Sequence, residues 1–219
     1  MAIISTPSGF HYAHSKILLE NKKHVLVEKP ASLKINQHLN LFKLSKKKKL
    51  FYDVILQNRL NKAILFLKNA LVKKKLGKIL KVNVRVNWCR YQEYYNDIWH
   101  GKWKMDGGVI CQQAYHHIDI LSHLFPDIST IYAEKYNLSN KLEAEDTFSA
   151  LGTFSDGSTF NFEATTAIRP NDHEASIIVY GDKGYIEIGG IAINEIKKFK
   201  LKKVIINNFD NYNQKFKTG

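Results

Sequence analysis

Apolar and polar positions change their rhythm about sixty residues into the chain. Up to that point short apolar runs alternate with stretches of helical spacing. Ala2-Ile3-Ile4-Ser5, Val25-Leu26-Val27 and residues 50–56 read as buried strands, and residues 12–20 and 33–44 as the helices between them. Thr6-Pro7-Ser8 reads as a turn whose serine caps the first helix. Such alternation implies a parallel sheet with helical crossovers. After Arg59 the pattern predicts a helix over 60–72, an alternating strand over 78–88, an aromatic loop over 89–104 and one helix over 107–125. Strands follow at 131–138, 146–154, 158–167, 175–180 and 185–188, with Asp156-Gly157 and Asp182-Lys183-Gly184 as tight turns. Successive hairpins imply an antiparallel sheet with helices on one face. The predicted class is α/β followed by α+β, with the boundary between residues 59 and 60.

The chain is expected to be a fragment at both ends. Its first strand starts at the second residue, without the flanking strands and covering helices that a parallel strand needs. Residues 200–219 trail off in lysine and asparagine with no closing element.

Composition narrows the class. Of 219 residues, 44% are apolar and 24% charged, as in a soluble globular protein. No apolar run approaches the roughly 18 residues of a membrane helix, and nothing at the N-terminus reads as a signal peptide. Cys89 and Cys111 are too few for a disulfide framework or a zinc site, so a reducing cytoplasm is expected. The formal charge of +13 is carried by lysines, with only four arginines among 33 basic residues. Lys46–Lys49 and Lys73–Lys75 lie where helices should end and complement the helix dipole there. Solvated surface explains this charge better than a nucleic-acid footprint, and neither nucleic acid nor membrane is an expected partner.

Two segments carry candidate chemistry. In His24-Val25-Leu26-Val27-Glu28-Lys29-Pro30, Lys29 follows a buried strand, at the carboxyl end where α/β sheets bind ligands. An ordinary strand-end lysine would look the same. In the predicted helix after Gly107-Gly108, Ile110, Ala114, His117, Leu121 and Leu124 form an apolar stripe. Gln112, His116, Asp119 and His123 lie roughly 200° around from it. Spacing alone favours a solvated polar stripe, and the glycine pair, which lets a chain or ligand come close, shifts the balance toward function. A zinc site from His116, Asp119 and His123 lacks a further ligand and is the weaker reading.

Together, Ile3-Ile4-Ser5-Thr6-Pro7-Ser8 with His11, Val25 to Pro30, and the helix from Gly107 to Asp119 resemble the Gfo/Idh/MocA family of NAD(P)-dependent sugar oxidoreductases. The resemblance spans essentially the whole chain. It implies that residues 1–59 are the C-terminal part of a dinucleotide-binding domain, a partial Rossmann-like parallel sheet whose Gly-x-Gly-x-x-Gly half is missing. Residues 60–219 would then be a helix-covered, mainly antiparallel substrate and oligomerisation domain, incomplete at its C-terminus.

The same resemblance assigns roles. Lys29, His116 and Gln112 would be catalytic, with His116 as the base because Gln112 stands where the family has an aspartate and cannot ionise; Ala114 replaces a family glycine. Thr6, Pro7, His11, Glu28, Lys29, Pro30, Asn58 and Arg59 would line the cofactor, NAD, with NADP left open because the ribose-selecting residue lies outside the sequence. Trp88-Cys89-Arg90-Tyr91, Tyr94-Tyr95, Trp99-His100-Gly101-Lys102-Trp103 and Gln57-Asn58-Arg59 look like the branch that oxidises C3 of a UDP-linked N-acetylhexosaminuronic acid in polysaccharide biosynthesis. Arg90, Tyr94, Trp103 and Asp119 would be the substrate contacts, and no metal is implied. A homo-oligomer through the antiparallel sheet is expected. The competing expectation is a non-catalytic remnant that only oligomerises, favoured by the missing glycine motif.

Overall fold

The computed structural model describes residues 1–202 and 204–206. Three short strands, β1 (Ala2–Ile4), β2 (Val25–Val27) and β3 (Tyr52–Val54), form a parallel sheet in the order β1-β2-β3. Helices α1 (His11–Glu20) and α2 (Ile35–Lys48) make the crossovers, as the alternation predicts. Ile4, Leu19, Val25, Val27, Ala31 and Leu41 form the small core between them. Ser8 does not cap α1. It opens a one-turn 3₁₀ segment, Ser8–Phe10, and is buried without a capping hydrogen bond.

The rest of the chain builds an eight-stranded sheet. Helix α3 (Lys62–Val72) leads into β4 (Ile79–Asn87), and two helices, α4 (Gly108–Gln112) and α5 (Tyr115–Leu124), follow the aromatic loop. Then come β5 (Ile128–Tyr136), β6 (Thr147–Phe154), β7 (Thr159–Thr165), β8 (Glu174–Gly181) and β9 (Gly184–Gly189). Two strands not anticipated from sequence close the run, β10 (Glu195–Leu201) and β11 (Val204–Ile206). The sheet order is β11-β10-β9-β8-β4-β7-β6-β5. All pairs are antiparallel except β4 with β7, because β4 enters the centre of the sheet beside a strand of the later meander. The expectation for residues 207–219 lies outside the described residues.

Alternation explains which face is covered. Val82, Val84 and Val86 of β4 and Phe160, Phe162 and Ala164 of β7 point inward and are at most 4% exposed. Ala63, Ile64, Leu67 and Ala70 of α3 and Ile120 and Leu121 of α5 join the same core. Each large apolar side chain buried this way is worth roughly 1.5–3 kcal/mol. The opposite face keeps Tyr132, Tyr136 and Leu151 exposed.

The single helix expected over 107–125 is broken. The N–H groups of Gln113 and Ala114 both donate to the Val109 carbonyl, and His117 N–H returns to Ala114, which restarts the helix one residue out of phase. Every position from Tyr115 on is therefore rotated relative to the stripe counted from Ile110.

Candidate active site

The two sheets meet at the carboxyl ends of β1 and β2. There Gly9 N–H donates to the Met105 carbonyl at 2.7 Å, so close that a Cβ on Gly9 would lie 2.4 Å from the Lys104 oxygen. Lys29, one residue beyond Glu28 at the end of β2, reaches across the same junction. Its Nζ donates to the main-chain oxygen of Gln112, at the end of α4, at 2.7 Å. Burial lowers the Lys29 pKa, and the nearby Glu28 carboxylate partly opposes the shift. The Lys29–Pro30 peptide is cis. The Lys29 N–H donates to Glu28 Oε2 at 3.2 Å.

His11 is buried behind this lysine. Its Nδ1 lies 2.7 Å from the Pro30 carbonyl oxygen and its Nε2 2.7 Å from that of Thr6, so both ring nitrogens are engaged by the backbone. His11 thereby joins the loop after β1, which carries Thr6 and Pro7, to the loop after β2.

On α5, His116 is half-buried and its Nδ1 has no protein partner. Burial, then the Lys29 ammonium, pull its pKa down to about 4, so the ring is neutral across the physiological range. That is lower than the near-neutral basicity an isolated imidazole would bring. Its neighbour His117 is fully buried, edge-on to Trp88 with ring centroids 6.2 Å apart, and burial depresses its pKa to about 3. The side division of the two histidines survives the helix break.

The remaining sequence candidates divide into a cluster, a pair and one outlier. Gln112 and Tyr94 join the Lys29 cluster: the Tyr94 phenol meets the side chains of Gln112 and Gln113, and burial raises its pKa. Arg90 lies over the Trp88 and Tyr94 rings at 5.5 and 5.6 Å and donates to Asp172 at 2.9 Å. Arg59 and Asp119, expected to contact cofactor and substrate, engage each other through Nε–Oδ2 at 2.8 Å and Nη2–Oδ1 at 2.5 Å. Asn58 is buried beside them in sequence. Trp103 stands apart under the Lys135 ammonium, 3.8 Å from its ring centroid.

Several groups near the site carry no sequence signal. Asp106 is buried and accepts from Gly101 N–H at 2.7 Å and Gly108 N–H at 3.1 Å, bracing the entry to α4. Glu145, from the segment between β5 and β6, packs flat on Gly108; a Cβ there would lie 2.4 Å from the carboxylate. The approach that the glycine pair permits is thus made by the protein itself. Cys111 sits among these groups, its pKa pushed up to about 11 by burial and then by Glu145 and Asp106. Asp106 follows a loop and Glu145 precedes a strand by two residues, so neither falls in a periodic segment. No group of three His, Cys, Asp or Glu side chains among the described residues is arranged to hold a metal.

Comparison with known proteins fits this arrangement. The GFO/IDH/MocA C-terminal domain matches residues 64–187, and the oxidoreductase family NAD-binding Rossmann fold matches residues 1–56. The chain belongs to the GFO/IDH/MocA family. Two solved family structures superpose with a TM-score of 0.89. The WlbA dehydrogenase of Bordetella pertussis, in complex with NADH and UDP-GlcNAcA, is 32% identical over 92% of this chain and 59% of its own. The WlbA dehydrogenase of Chromobacterium violaceum, with the same two ligands, is 34% identical over 97% of this chain and 61% of its own. The uncharacterized oxidoreductase YhhX of Escherichia coli is 28% identical over 86% of this chain, which spans 53% of that relative's length. The chain therefore spans between half and two thirds of the length of these relatives. Among the described residues no helix is long and apolar enough to cross a membrane.

Proposed function

We propose that this chain carries the reacting end of an NAD(P)-dependent dehydrogenase that oxidises a secondary alcohol of a nucleotide sugar. The observation that carries the reading is Lys29 held on the Gln112 carbonyl across the junction of the two sheets, with the neutral, unpartnered His116 nitrogen on the next helix. The nicotinamide end of a dinucleotide fits this set: a fixed ammonium at the end of a parallel strand and a neutral, half-buried imidazole on the next helix. Thr6, Pro7, Glu28, Lys29, Pro30, Asn58 and Arg59 would hold it, with His11 fixing the first two against Pro30. A bound oxidised nicotinamide would supply a hydride acceptor.

The protein's own part follows from charge. His116 accepts the hydroxyl proton, Lys29 stabilises the negative charge developing on oxygen, and Gln112 aims the lysine. A base titrating at about pH 4 stays unprotonated, so kcat/KM should hold level from neutrality down to its acid limb near pH 4. The UDP-GlcNAcA bound by the two WlbA dehydrogenases supports a UDP-linked N-acetylhexosaminuronic acid, oxidised at C3, as substrate. Arg90, Tyr94 and Asp119 are the proposed contacts, while Trp103, covered by Lys135, is left out of the set. The exposed sheet face with Tyr132, Tyr136 and Leu151 supports self-association there, and a cytoplasmic location accords with the nucleotide-sugar chemistry. The test is reduction of NAD and NADP by the purified chain with a panel of UDP-sugars and UDP-sugar acids. Turnover restricted to a uronic acid supports the reading. Cofactor reduction with none of the panel by a folded protein refutes it.

A further inference from the structure

Tyr94, His100 and Asp97 form a hydrogen-bonded chain leading out of the site. Asp97 Oδ1 accepts from the backbone N–H groups of Trp99 at 3.0 Å and His100 at 2.8 Å, and Oδ2 lies 2.6 Å from His100 Nδ1. A carboxylate only accepts, so the proton of the neutral ring sits on Nδ1 and Nε2 keeps its lone pair. The Tyr94 hydroxyl lies 2.8 Å from that Nε2, and Trp99 stacks on the ring with centroids 3.7 Å apart. This is the arrangement of a hydroxyl, a base and an orienting carboxylate. The His100 side chain is 12% exposed and that of Asp97 38%, so the chain runs from the interior to water. At its inner end Tyr94 meets the side-chain amide of Gln112, the residue whose main-chain carbonyl accepts from Lys29. The other titratable or charged groups facing it are Arg90 over the Tyr94 ring, Tyr95 edge-on at 4.9 Å, and Asp106.

We propose that Tyr94, His100 and Asp97 are a proton exit that carries the hydroxyl proton of the oxidised alcohol from the site to solvent. The inference rests on the dehydrogenase reading above. Oxidising a secondary alcohol breaks one C–H and one O–H bond. The hydrogen on carbon leaves with two electrons as hydride to the oxidised nicotinamide, the carbon becomes a carbonyl, and one proton remains in the protein. His116 takes it first, but a ring that titrates near pH 4 does not keep it at neutrality. As the His116 imidazolium gives that proton up within the site, the Tyr94 hydroxyl takes it and passes its own to His100 Nε2. The resulting imidazolium passes its Nδ1 proton by way of Asp97 to water, which leaves the transferred proton on Nε2, and a turn of the ring and of the Tyr94 hydroxyl resets the relay before the next turnover.

The relay is read first without turnover, in nitrogen-15 spectra of the histidine-labelled full chain, with His100 assigned by its loss in His100→Gln. His100 should carry its proton on Nδ1, with Nε2 shifting in Tyr94→Phe and Nδ1 shifting in Asp97→Asn. A proton on Nε2, or no response to either variant, overturns the relay. In turnover, His100→Gln should lower kcat at least about tenfold with little change in the sugar KM, and added imidazole buffer should restore the rate. An unchanged kcat, or a loss that no buffer restores, overturns its catalytic role. Failure of the unmodified chain to bind NADH overturns the dehydrogenase reading instead, and the spectra still decide the relay.

Discussion

The three-stranded and eight-stranded sheets obey one rule, apolar faces turned inward, yet they bury very different amounts. Among the described residues the first gathers six buried apolar side chains, while Ile3, Ile17, Ile35, Phe42 and Phe51 stay 49–70% exposed. The second gathers 26, with Phe154 stacked on Phe125 and tilted against Phe160. The difference separates two duties. The large sheet supplies the stability, and the small one supplies Lys29, whose position depends on contacts borrowed across the junction: Gln112 to Lys29 and Met105 to Gly9. A lysine at the end of a three-residue strand is aimed by the larger domain.

The comparison breaks most visibly in the core. Phe160→Ala should cost about 3–5 kcal/mol and lower the stability of the whole chain in denaturant titrations. Leu41→Ala removes a comparable contact, about 2–5 kcal/mol, yet its effect in hydrogen exchange should be confined to residues 1–56. Equal loss of protection in both sheets would show that they unfold as one unit.

Next in size is Lys29→Met, expected to lower kcat by about 10²–10³ with a smaller change in NADH affinity, because the ammonium acts on charge that develops during reaction. Stopped-flow turnover beside calorimetric binding separates the two.

A third effect depends on pH. The folded-state pKa values of His116 and His117, about 4 and about 3, lie below the ordinary 6.5. Between pH 6.5 and these values the unfolded chain binds protons that the folded chain refuses. Stability is therefore full above pH 6.5 and falls as the pH drops toward 4, with roughly 3 kcal/mol at stake for the fully buried His117. His117→Phe should flatten that slope in urea titrations from pH 7 to 4. The smallest effect belongs to Asp119→Asn, about 1 kcal/mol, since Arg59 is 37% exposed and screened by water.

Much of this organisation was legible in the chain. Alternation located β4 to β9 within a few residues, and apolar runs located β1 to β3, because those strands are buried by side-chain pattern alone. Lys29 and His116 were legible as a pair only through the family resemblance. The break after Gln112 was not, since Gln113 and Ala114 are ordinary helix residues and the interruption is imposed by packing. β10 drew no strand expectation, since Glu195, Lys197, Lys198 and Lys200 interrupt its apolar positions, although Ile196 and Phe199 are buried. Arg59 and Asp119 are expected from the sequence as separate cofactor and substrate contacts, and their pairing joins residues sixty apart, which leaves no local trace.

The measurement that bears most directly on the account is calorimetric titration of the full 219-residue chain with NADH, with circular dichroism as the check on folding. Micromolar binding is expected, weakening when UDP-GlcNAcA is absent, because cofactor and sugar would meet at Lys29. A folded chain that takes up no NADH with or without the sugar nucleotide would contradict it.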